Sequence, residues 1–273
     1  MKVPVLFGLL LMVLHDCSSL TAREKRQVNR EIEKQIMALE EKLMGSDTCP
    51  IKSCASAFYK SCQEALEGGN VFSTQYMIQP DEGPPFLVYC DMDPANGTGW
   101  VVFQRRFDGS VDFYRNWTDY QQGFGDIHGE FWLGLDKIHR LTNEMEPNKT
   151  RLRVELENYD GSKAFADYSA FSVGPEESSY ELYVSNDSYP GTAGDSILKH
   201  HNMMKFSTPD VDNDQWSVIN CAVVSHGAWW YNRCHESNLN GKFSATPMYG
   251  TSYVRWFSWK LTQSLKGTTM KLA

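Results

Sequence analysis

The sequence lacks a hydrophobic run long enough to cross a lipid bilayer. Its one long apolar stretch, residues 3–14, is too short for that role. The stretch follows Met1-Lys2 and precedes small and polar residues up to Ala22, which is the layout of a secretory signal peptide. We therefore predict a signal peptide over residues 1–22 and a secreted, extracellular protein without membrane insertion. A signal anchor is the alternative interpretation of the same stretch.

Dense clusters of basic residues are also missing. The chain has 26 Lys and Arg against 34 Asp and Glu, which gives a formal net charge of −8. Proteins that bind nucleic acid need concentrated positive charge to neutralise phosphates. The composition therefore argues against a nucleic-acid partner.

Signatures of common enzymes are absent as well. The sequence contains no GxSxG, HExxH or GxxxxGK[ST] motif. No nucleophile with a base, paired acid and base, or open metal site can be assembled from its motifs. We therefore predict a protein that binds rather than catalyses.

Cysteine is scarce, with seven residues in 273. Removal of the signal peptide leaves an even number, and an even number in an exported protein predicts disulfide bonds. The absence of a CxxC pair makes a zinc site a poor alternative. A bond between Cys221 and Cys234 would close a small loop, and one between Cys62 and Cys90 a larger loop. The residues alone leave the connectivity open.

Four Asn-x-Ser/Thr sequences give candidate glycosylation sites in an exported protein. They begin at Asn96, Asn116, Asn148 and Asn186.

Residues 23–44 are charged and helix-forming, with apolar residues at alternating steps of four and three. These are Ile32, Ile36, Leu39 and Leu43. The spacing predicts a short coiled coil, and an amphipathic helix packed on its own domain is the alternative. Cys49 and Cys54 follow in a linker over residues 45–57, where they can link neighbouring chains or close a local loop. We expect a homo-oligomer formed through residues 23–54.

The remainder alternates strand-like runs with turn residues. Strands are predicted at residues 86–90, 100–103 and 152–156, and helices at 56–67 and 136–144. The pattern favours one α+β domain with an antiparallel sheet. Residues 190–260 have little regular pattern, which in a compact domain usually marks function or external cross-linking.

Acidic residues occupy every second position at Asp210, Asp212 and Asp214. Carboxylates arranged in this way on a loop can converge on one cation, and several oxygen ligands suit calcium. An EF-hand does not fit, because Gln215 stands at the required glycine and Cys221 at the bidentate glutamate. A solvated acidic turn is the alternative interpretation.

Several separated motifs resemble the fibrinogen C-terminal domain family over roughly residues 58–272, so we predict such a domain at residues 58–273. They are Phe86-Leu-Val-Tyr-Cys-Asp-Met92, Trp100-Val-Val-Phe-Gln-Arg-Arg106, Gly129-Glu-Phe-Trp-Leu-Gly134, Gly191-Thr-Ala-Gly-Asp195, Phe206-Ser-Thr208 and Trp229-Trp230-Tyr231-x-x-Cys234-x-x-Ser237-x-x-Asn240-Gly241. Within the family the protein looks most like the ficolins and tachylectins. Angiopoietin-like ligands are the second possibility. A collagen-like Gly-x-y stretch, typical of ficolins, is missing.

The resemblance implies three subdomains around a central antiparallel sheet, one of them a loop-rich calcium and ligand subdomain. It implies disulfides between Cys62 and Cys90 and between Cys221 and Cys234. It also implies calcium (Ca²⁺) bound by the side chains of Asp212 and Asp214 and by the backbone carbonyls of Trp216 and Val218.

In the family's lectins, a cis peptide presents backbone N–H groups to an acetyl group, and the matching bond here is Arg233–Cys234. His235 matches the family's pocket histidine, and Tyr253 lies near its pocket tyrosine. Ser225 and Leu265 replace aromatic residues that are usual there.

The resemblance thus implies a secreted, calcium-dependent, lectin-like recognition protein of innate immunity that binds acetylated carbohydrates or similar surface groups. An angiopoietin-like ligand for a protein receptor is the alternative.

Overall fold

The computed structural model describes residues 58–143, 150–185 and 191–273. The predicted signal peptide, coiled coil and linker (residues 1–57) lie outside the described residues, as do Asn148 and Asn186. No helix of the described part is long and apolar enough to cross a membrane.

Alternating apolar and polar residues produce one antiparallel sheet. Its strands are β1 (Thr74–Ile78), β2 (Phe86–Asp93), β3 (Thr98–Arg106), β4 (Phe124–Gly125), β5 (Phe131–Trp132), β6 (Leu152–Glu157), β7 (Lys163–Tyr168) and β12 (Gly267–Leu272). The main order is β1-β2-β3-β12-β6-β7, and β5 pairs with both β3 and β4. The C-terminal strand therefore lies in the centre of the sheet. The three strands predicted from sequence and the antiparallel α+β fold are confirmed.

The two faces of this sheet differ. In β6, Leu152, Val154 and Leu156 are buried, whereas the intervening residues are partly exposed. Because side chains alternate between faces along a strand, the apolar face packs on the core. The opposite face is open and carries charged and aromatic side chains.

Three of the helices flank the sheet: α1 (Cys62–Glu67), α2 (Trp117–Gln122) and α3 (Leu135–Asn143). The prediction at residues 136–144 agrees with α3 over residues 136–143. The prediction at 56–67 began too early, because residues 58–61 are not helical. Ser61 caps the helix by accepting from the N–H of Glu64, and Tyr59 instead pairs with Ile78 at the end of β1.

Short elements make up the rest of the described residues. They are β8 (Ala170–Val173) and β9 (Leu182–Ser185), a 3₁₀ turn (Glu176–Ser178), α4 (Leu198–His201), α5 (Cys221–Val224), β10 (Ser237–Asn238), β11 (Arg255–Trp256) and α6 (Phe257–Lys260). Residues 191–263, called here the loop region, therefore contain no element longer than four residues. The low regularity expected for residues 190–260 is confirmed for those described.

Candidate functional site

Buried tryptophans anchor the loop region. Trp229 and Trp230 are fully buried, and the indole N–H of Trp230 donates to the carbonyl of Tyr180 at 2.7 Å. Trp230 packs edge-on against Phe206, with ring centroids 5.1 Å apart. These contacts join the loop region to the aromatic core beneath the sheet, so both tryptophans serve packing.

A disulfide and a cis peptide shape the next turn. Cys221 and Cys234 are bonded, with Cα atoms 5.4 Å apart, and the Arg233–Cys234 peptide is cis. Cys62 and Cys90 form the second disulfide. Both pairings and the cis bond agree with what the resemblance implied.

His201 fixes this turn from below. Its Nδ1 lies 2.7 Å from the carbonyl oxygen of Trp230, and its Nε2 accepts from the N–H groups of Glu236 and Ser237 at 3.1 and 3.2 Å. These partners require a neutral ring that carries its proton on Nδ1. Complete burial lowers the pKa of His201 to about 3, so the ring stays neutral at physiological pH. One histidine thereby holds both ends of the segment containing the cis peptide.

His235 follows the cis peptide and has a different environment. Both of its ring nitrogens are buried and have no hydrogen-bond partner. Burial, with the nearby charge of Arg255, lowers the pKa of His235 well below its ordinary value. The nearby backbone of Thr251 opposes this shift of the pKa, but it forms no hydrogen bond with the ring. A neutral imidazole with unused nitrogens is an unusual buried group, and such groups often mark binding sites.

Asn238 connects this turn to Tyr253. Its Nδ2 donates to the carbonyls of Ser225 at 2.9 Å, Thr251 at 3.3 Å and Tyr253 at 3.5 Å, while its Oδ1 accepts from Tyr231 at 2.7 Å. Asn238 therefore links Ser225 and Tyr231 to the segment that carries Tyr253. Arg233, Cys234 and His235 are consecutive residues of one turn.

The Tyr253 ring is partly exposed, and Lys242 Nζ lies 6.0 Å from its centroid. Arg233 is exposed, with its guanidinium 5.6 Å from the ring centroid of Trp216.

Ser225 and Leu265, which replace aromatic residues in the expected pocket, are each 1 % exposed. The carbonyl of Ser225 accepts from Asn238, and Leu265 belongs to the hydrophobic core. Neither residue provides an aromatic wall for a ligand.

The sheet supports the turn through a buried ion pair. Glu130 accepts from the N–H groups of Phe107, Asp108, Gly109 and Val111. Arg106 lies 3.7 Å from Glu130 and donates to the carbonyls of Leu239 at 3.3 Å and Gly241 at 2.8 Å. Arg106 Nε is buried without a hydrogen-bond partner, so the contacts to the loop region come from Nη1. This buried pair therefore joins the end of β3 to the loop region.

Asp214 and Asp212 are adjacent at one side of the turn. The carboxylate of Asp214 accepts from the N–H of Trp216 at 2.6 Å and of Cys221 at 2.7 Å. Burial raises the pKa of Asp214 and the charge of Asp212 adds to this, against the two backbone N–H groups. Asp210 does not join them, because it accepts from the N–H of Trp117 at 3.0 Å and from Thr208. The expectation that three carboxylates can converge is wrong for Asp210.

Asp212 and Asp214 could supply some of the oxygen ligands that a hard cation such as calcium needs. Two carboxylates that repel one another gain from a positive charge between them, and each oxygen keeps a lone pair beyond its backbone bond. The Trp216 carbonyl accepts from Ile219 at 3.2 Å and also has a second lone pair, while Val218 is 77 % exposed. Among the described residues, no group of three or more His, Cys, Asp or Glu side chains could hold a metal. Backbone carbonyls would have to complete the shell.

Asn96 and Asn116, the two described sequon asparagines, are exposed. Asn116 also caps α2, because its Oδ1 accepts from Asp119 at 2.9 Å. A glycan on the side-chain nitrogen would leave this contact available.

The family model for the C-terminal globular domain of the fibrinogen beta and gamma chains matches residues 58–273. The protein belongs to the fibrinogen C-terminal domain family. Ryncolin-4 from Cerberus rynchops is 47 % identical over 197 residues, 72 % of this chain and 55 % of that protein. Fibrinogen C domain-containing protein 1-B from Xenopus laevis is 44 % identical over 223 residues, 78 % of this chain and 47 % of that protein. The fibrinogen-like domain thus spans about half the length of these curated relatives.

Solved structures agree with this membership. The fibrinogen-like globe domain of human ANGPTL2 is 40 % identical with a TM-score of 0.72, covering 79 % of this chain and 98 % of that one. Lamprey fibrin D-dimer, complexed with the peptide Gly-His-Arg-Pro-amide, is 33 % identical with a TM-score of 0.71, covering 98 % and 91 %. The fibrinogen-like fold expected from the motifs is confirmed.

The sequence did not indicate His201, Asn238, Arg106 or Glu130 as parts of the site. The motifs span all of these residues except His201. Membership of a motif does not show whether a residue packs the core or positions the site. A buried polar residue is recognised only when its partners are known, and these partners lie far away in sequence. For His201, a histidine pair at residues 200–201 was the only local signal.

Proposed function

We propose that this protein is a secreted, calcium-dependent recognition protein that binds acetylated carbohydrates or similar surface groups, as part of innate immunity. One observation carries the proposal: in the turn closed by the Cys221–Cys234 disulfide, His235 is partly buried and neither of its ring nitrogens has a hydrogen-bond partner. A small polar group that reaches this turn can hydrogen-bond the imidazole, and such a partner would remove the cost of leaving its nitrogens unpaired.

Calcium would act by holding the turn in place. Asp212 and Asp214 would supply carboxylates, and the carbonyls of Trp216 and Val218 would complete the shell. Bound calcium supplies a fixed positive charge that neutralises the acidic pair. Asp214 also accepts from the N–H of Cys221, so the site is connected directly to the Cys221–Cys234 disulfide. That disulfide closes the turn formed by Arg233, Cys234 and His235, called here the recognition turn.

Avidity is the third part of the proposal. One shallow sugar site gives weak binding, and several sites on one oligomer raise the apparent affinity without new contacts. Residues 23–54 are proposed to form that oligomer. Similarity to Ryncolin-4 supports a recognition role, since that relative aligns over most of the fibrinogen-like domain.

A second candidate is an angiopoietin-like ligand for a protein receptor. Ser225 and Leu265 lack the aromatic rings that would close a slot around an acetyl methyl group, and both are buried. The similarity to the ANGPTL2 globe domain is consistent with this alternative.

Retention on immobilised N-acetylglucosamine in calcium, with elution by a chelator or free acetate, tests the first candidate. We expect His235→Ala to abolish retention, because it removes the ring that would bind the ligand. The exposed His128→Ala is the control and should be retained like the wild type. Failure of the wild-type oligomer to bind several acetylated resins would favour the receptor-ligand alternative.

Calorimetric titration with calcium tests the metal site separately. We expect Asp212→Asn to abolish calcium binding and the thermal stabilisation that calcium provides. Asp210→Asn is the matched control, because this neighbouring acid is committed to Trp117 and Thr208. Equal calcium affinity in wild type and Asp212→Asn would disprove the assignment.

A further inference from the structure

The open face of the sheet contains a cavity of about 520 Å³ that is separate from the recognition turn. Its lining residues belong to β3, β6, β7 and β12, together with Phe107 directly after β3. They include Arg105, Phe107, Glu155, Glu157, Lys163 and Phe165. A volume in this range is sufficient for a small ligand.

Strand register brings these residues together. Thr269 of β12 pairs with Arg105 on one side and with Glu155 on the other, and Glu155 pairs with Phe165. Directly paired residues project from the same face of a sheet. The cavity is therefore fixed by backbone pairing rather than by a loop.

The acidic residues of the cavity already have cationic partners. Glu155 lies 2.6 Å from Lys271, and Glu157 lies 3.3 Å from Lys266 and 3.7 Å from Lys163. Each of these carboxylates therefore has a lysine partner, although Lys271 is shared with Asp91, whose carboxylate lies 2.7 Å from its Nζ.

The other two arginines at the cavity, Arg106 and Arg153, each have a carboxylate partner; that of Arg106 is Glu130. Arg153 Nη2 and Nε donate to the two carboxylate oxygens of Asp167 at 2.6 and 2.7 Å. Its positive charge is therefore compensated.

Arg105 is different. Over the part of the protein that the structure describes, no carboxylate lies within ion-pair distance of it, and only its Nη1 donates hydrogen bonds, to the carbonyls of Ile127 and Gly129 at 3.1 and 3.4 Å. Its guanidinium lies 4.3 Å from the Tyr89 ring centroid and 5.4 Å from that of Phe131. The side chain is thus held rigidly, and its other donors are unused.

The environment of Arg105 favours an anion. Partial burial lowers the pKa of this guanidinium below its ordinary value, because desolvation of the cation outweighs the attraction of nearby groups. An added carboxylate would offset that cost, and arginine binds carboxylates through two parallel hydrogen bonds.

Apolar surface lies beside this cation. Phe107 is 45 % exposed and directly follows the end of β3, two residues and about 7 Å along the chain from Arg105. Phe165 is partly exposed at the far side of the cavity. An exposed phenylalanine next to an unpaired arginine suits a ligand with both an anionic and an apolar part.

We propose that this cavity binds a small amphiphilic carboxylate, with its carboxylate on the free edge of Arg105 and its aromatic or aliphatic body against Phe107. Longer bodies extend towards Phe165. The site is independent of the recognition turn, so its test does not depend on the sugar or calcium proposals.

Titration calorimetry of the full secreted protein with 3-phenylpropionate tests this site. Acetate lacks the apolar body and 3-phenylpropanol lacks the charge, so both should bind at least tenfold more weakly. We expect Arg105→Gln to raise the Kd at least tenfold, since a charge-assisted pair is lost. Arg115→Gln is the matched control, because Arg115 also lies over a phenylalanine ring but outside the cavity.

Phe107→Ala separates binding from folding. This exposed residue can be removed with little effect on the core, and we expect severalfold weaker binding of 3-phenylpropionate at an unchanged Tm. Absence of binding to the wild type would overturn the proposal. Equal binding by 3-phenylpropanol, or by Arg105→Gln and Phe107→Ala, would overturn it as well.

Discussion

The sheet and the loop region both contribute residues to the buried core, but they are stabilised differently. Adjacent sheet strands are joined by continuous backbone pairing, such as the six residue pairs between β6 and β7. In the loop region, single polar side chains such as His201 and Asn238 bond to the backbone of distant segments. The sheet therefore spreads its stability over many similar contacts, whereas the loop region concentrates it in a few side chains.

This difference predicts unequal sensitivity to mutation, and His201→Ala should have the largest effect. The variant leaves the carbonyl of Trp230 and the N–H groups of Glu236 and Ser237 without their buried partner. We expect a loss of about 3–5 kcal/mol in the free energy of unfolding, measured by urea denaturation. His128→Ala, at an exposed position, should change it by less than about 0.5 kcal/mol. Similar losses in both variants would contradict the view that a few side chains carry most of the stability of the loop region.

The same histidine gives the loop region a pH dependence. The pKa of His201 is lowered to about 3 in the folded protein, whereas an unfolded histidine titrates near 6.5. The unfolded state therefore binds more protons over this interval, and stability falls as the pH is lowered from about 6.5 towards 3. One such group contributes a slope of up to about 1.4 kcal/mol per pH unit.

His235, whose pKa is also lowered, acts in the same direction. Urea denaturation at several pH values should show a shallower slope in His201→Ala than in the wild type. An unchanged slope would exclude His201 as a source of the acid sensitivity.

The two disulfides allow a comparison of intermediate size. Replacing Cys221 and Cys234 by alanine opens a loop with a sequence separation of 13 residues and should cost about 3 kcal/mol. Because this bond closes the recognition turn, amide hydrogen exchange should accelerate more at residues 230–237 than in β12. Replacing Cys62 and Cys90 should instead accelerate exchange near α1 and β2. Identical exchange patterns in the two variants would show that the regions do not open separately.

The smallest effect is expected on the open face of the sheet. Arg153→Gln removes a bidentate ion pair with Asp167. The side chain of Arg153 is 30 % exposed and that of Asp167 is 21 % exposed. Partly exposed pairs contribute little, so we expect a loss of at most about 1 kcal/mol by urea denaturation. A loss above about 2 kcal/mol would show that the sheet, too, depends on individual side chains.

Sequence patterns predicted the sheet well because its physical basis is local. The alternation of Leu152, Val154 and Leu156 with charged residues specifies both the strand and its buried face. Helix α3 was similarly recognisable. The start of α1 was predicted too early, since the pairing of Tyr59 with Ile78 depends on a strand nearly twenty residues away.

The candidate site was predictable only through family motifs. These placed Cys221, Cys234 and the cis peptide correctly, although no local propensity indicates any of them. Alternating carboxylates suggested that Asp210 joins Asp212 and Asp214, but a backbone N–H at Trp117 binds it instead. The positions of such partners follow from the tertiary fold, which a local pattern does not encode.

The contacts of Asn238 determine where the protein can be redesigned. The amide group of Asn238 bonds to the backbone at Ser225, to the backbone at Thr251 and Tyr253, and to the hydroxyl of Tyr231. A change of length in either backbone segment would therefore disturb several loops together. Residues 245–247 lie outside these junctions, are exposed, and are bonded mainly to Ser244 beside them. A foreign peptide grafted at this tip would be displayed on the surface while the recognition turn keeps its shape.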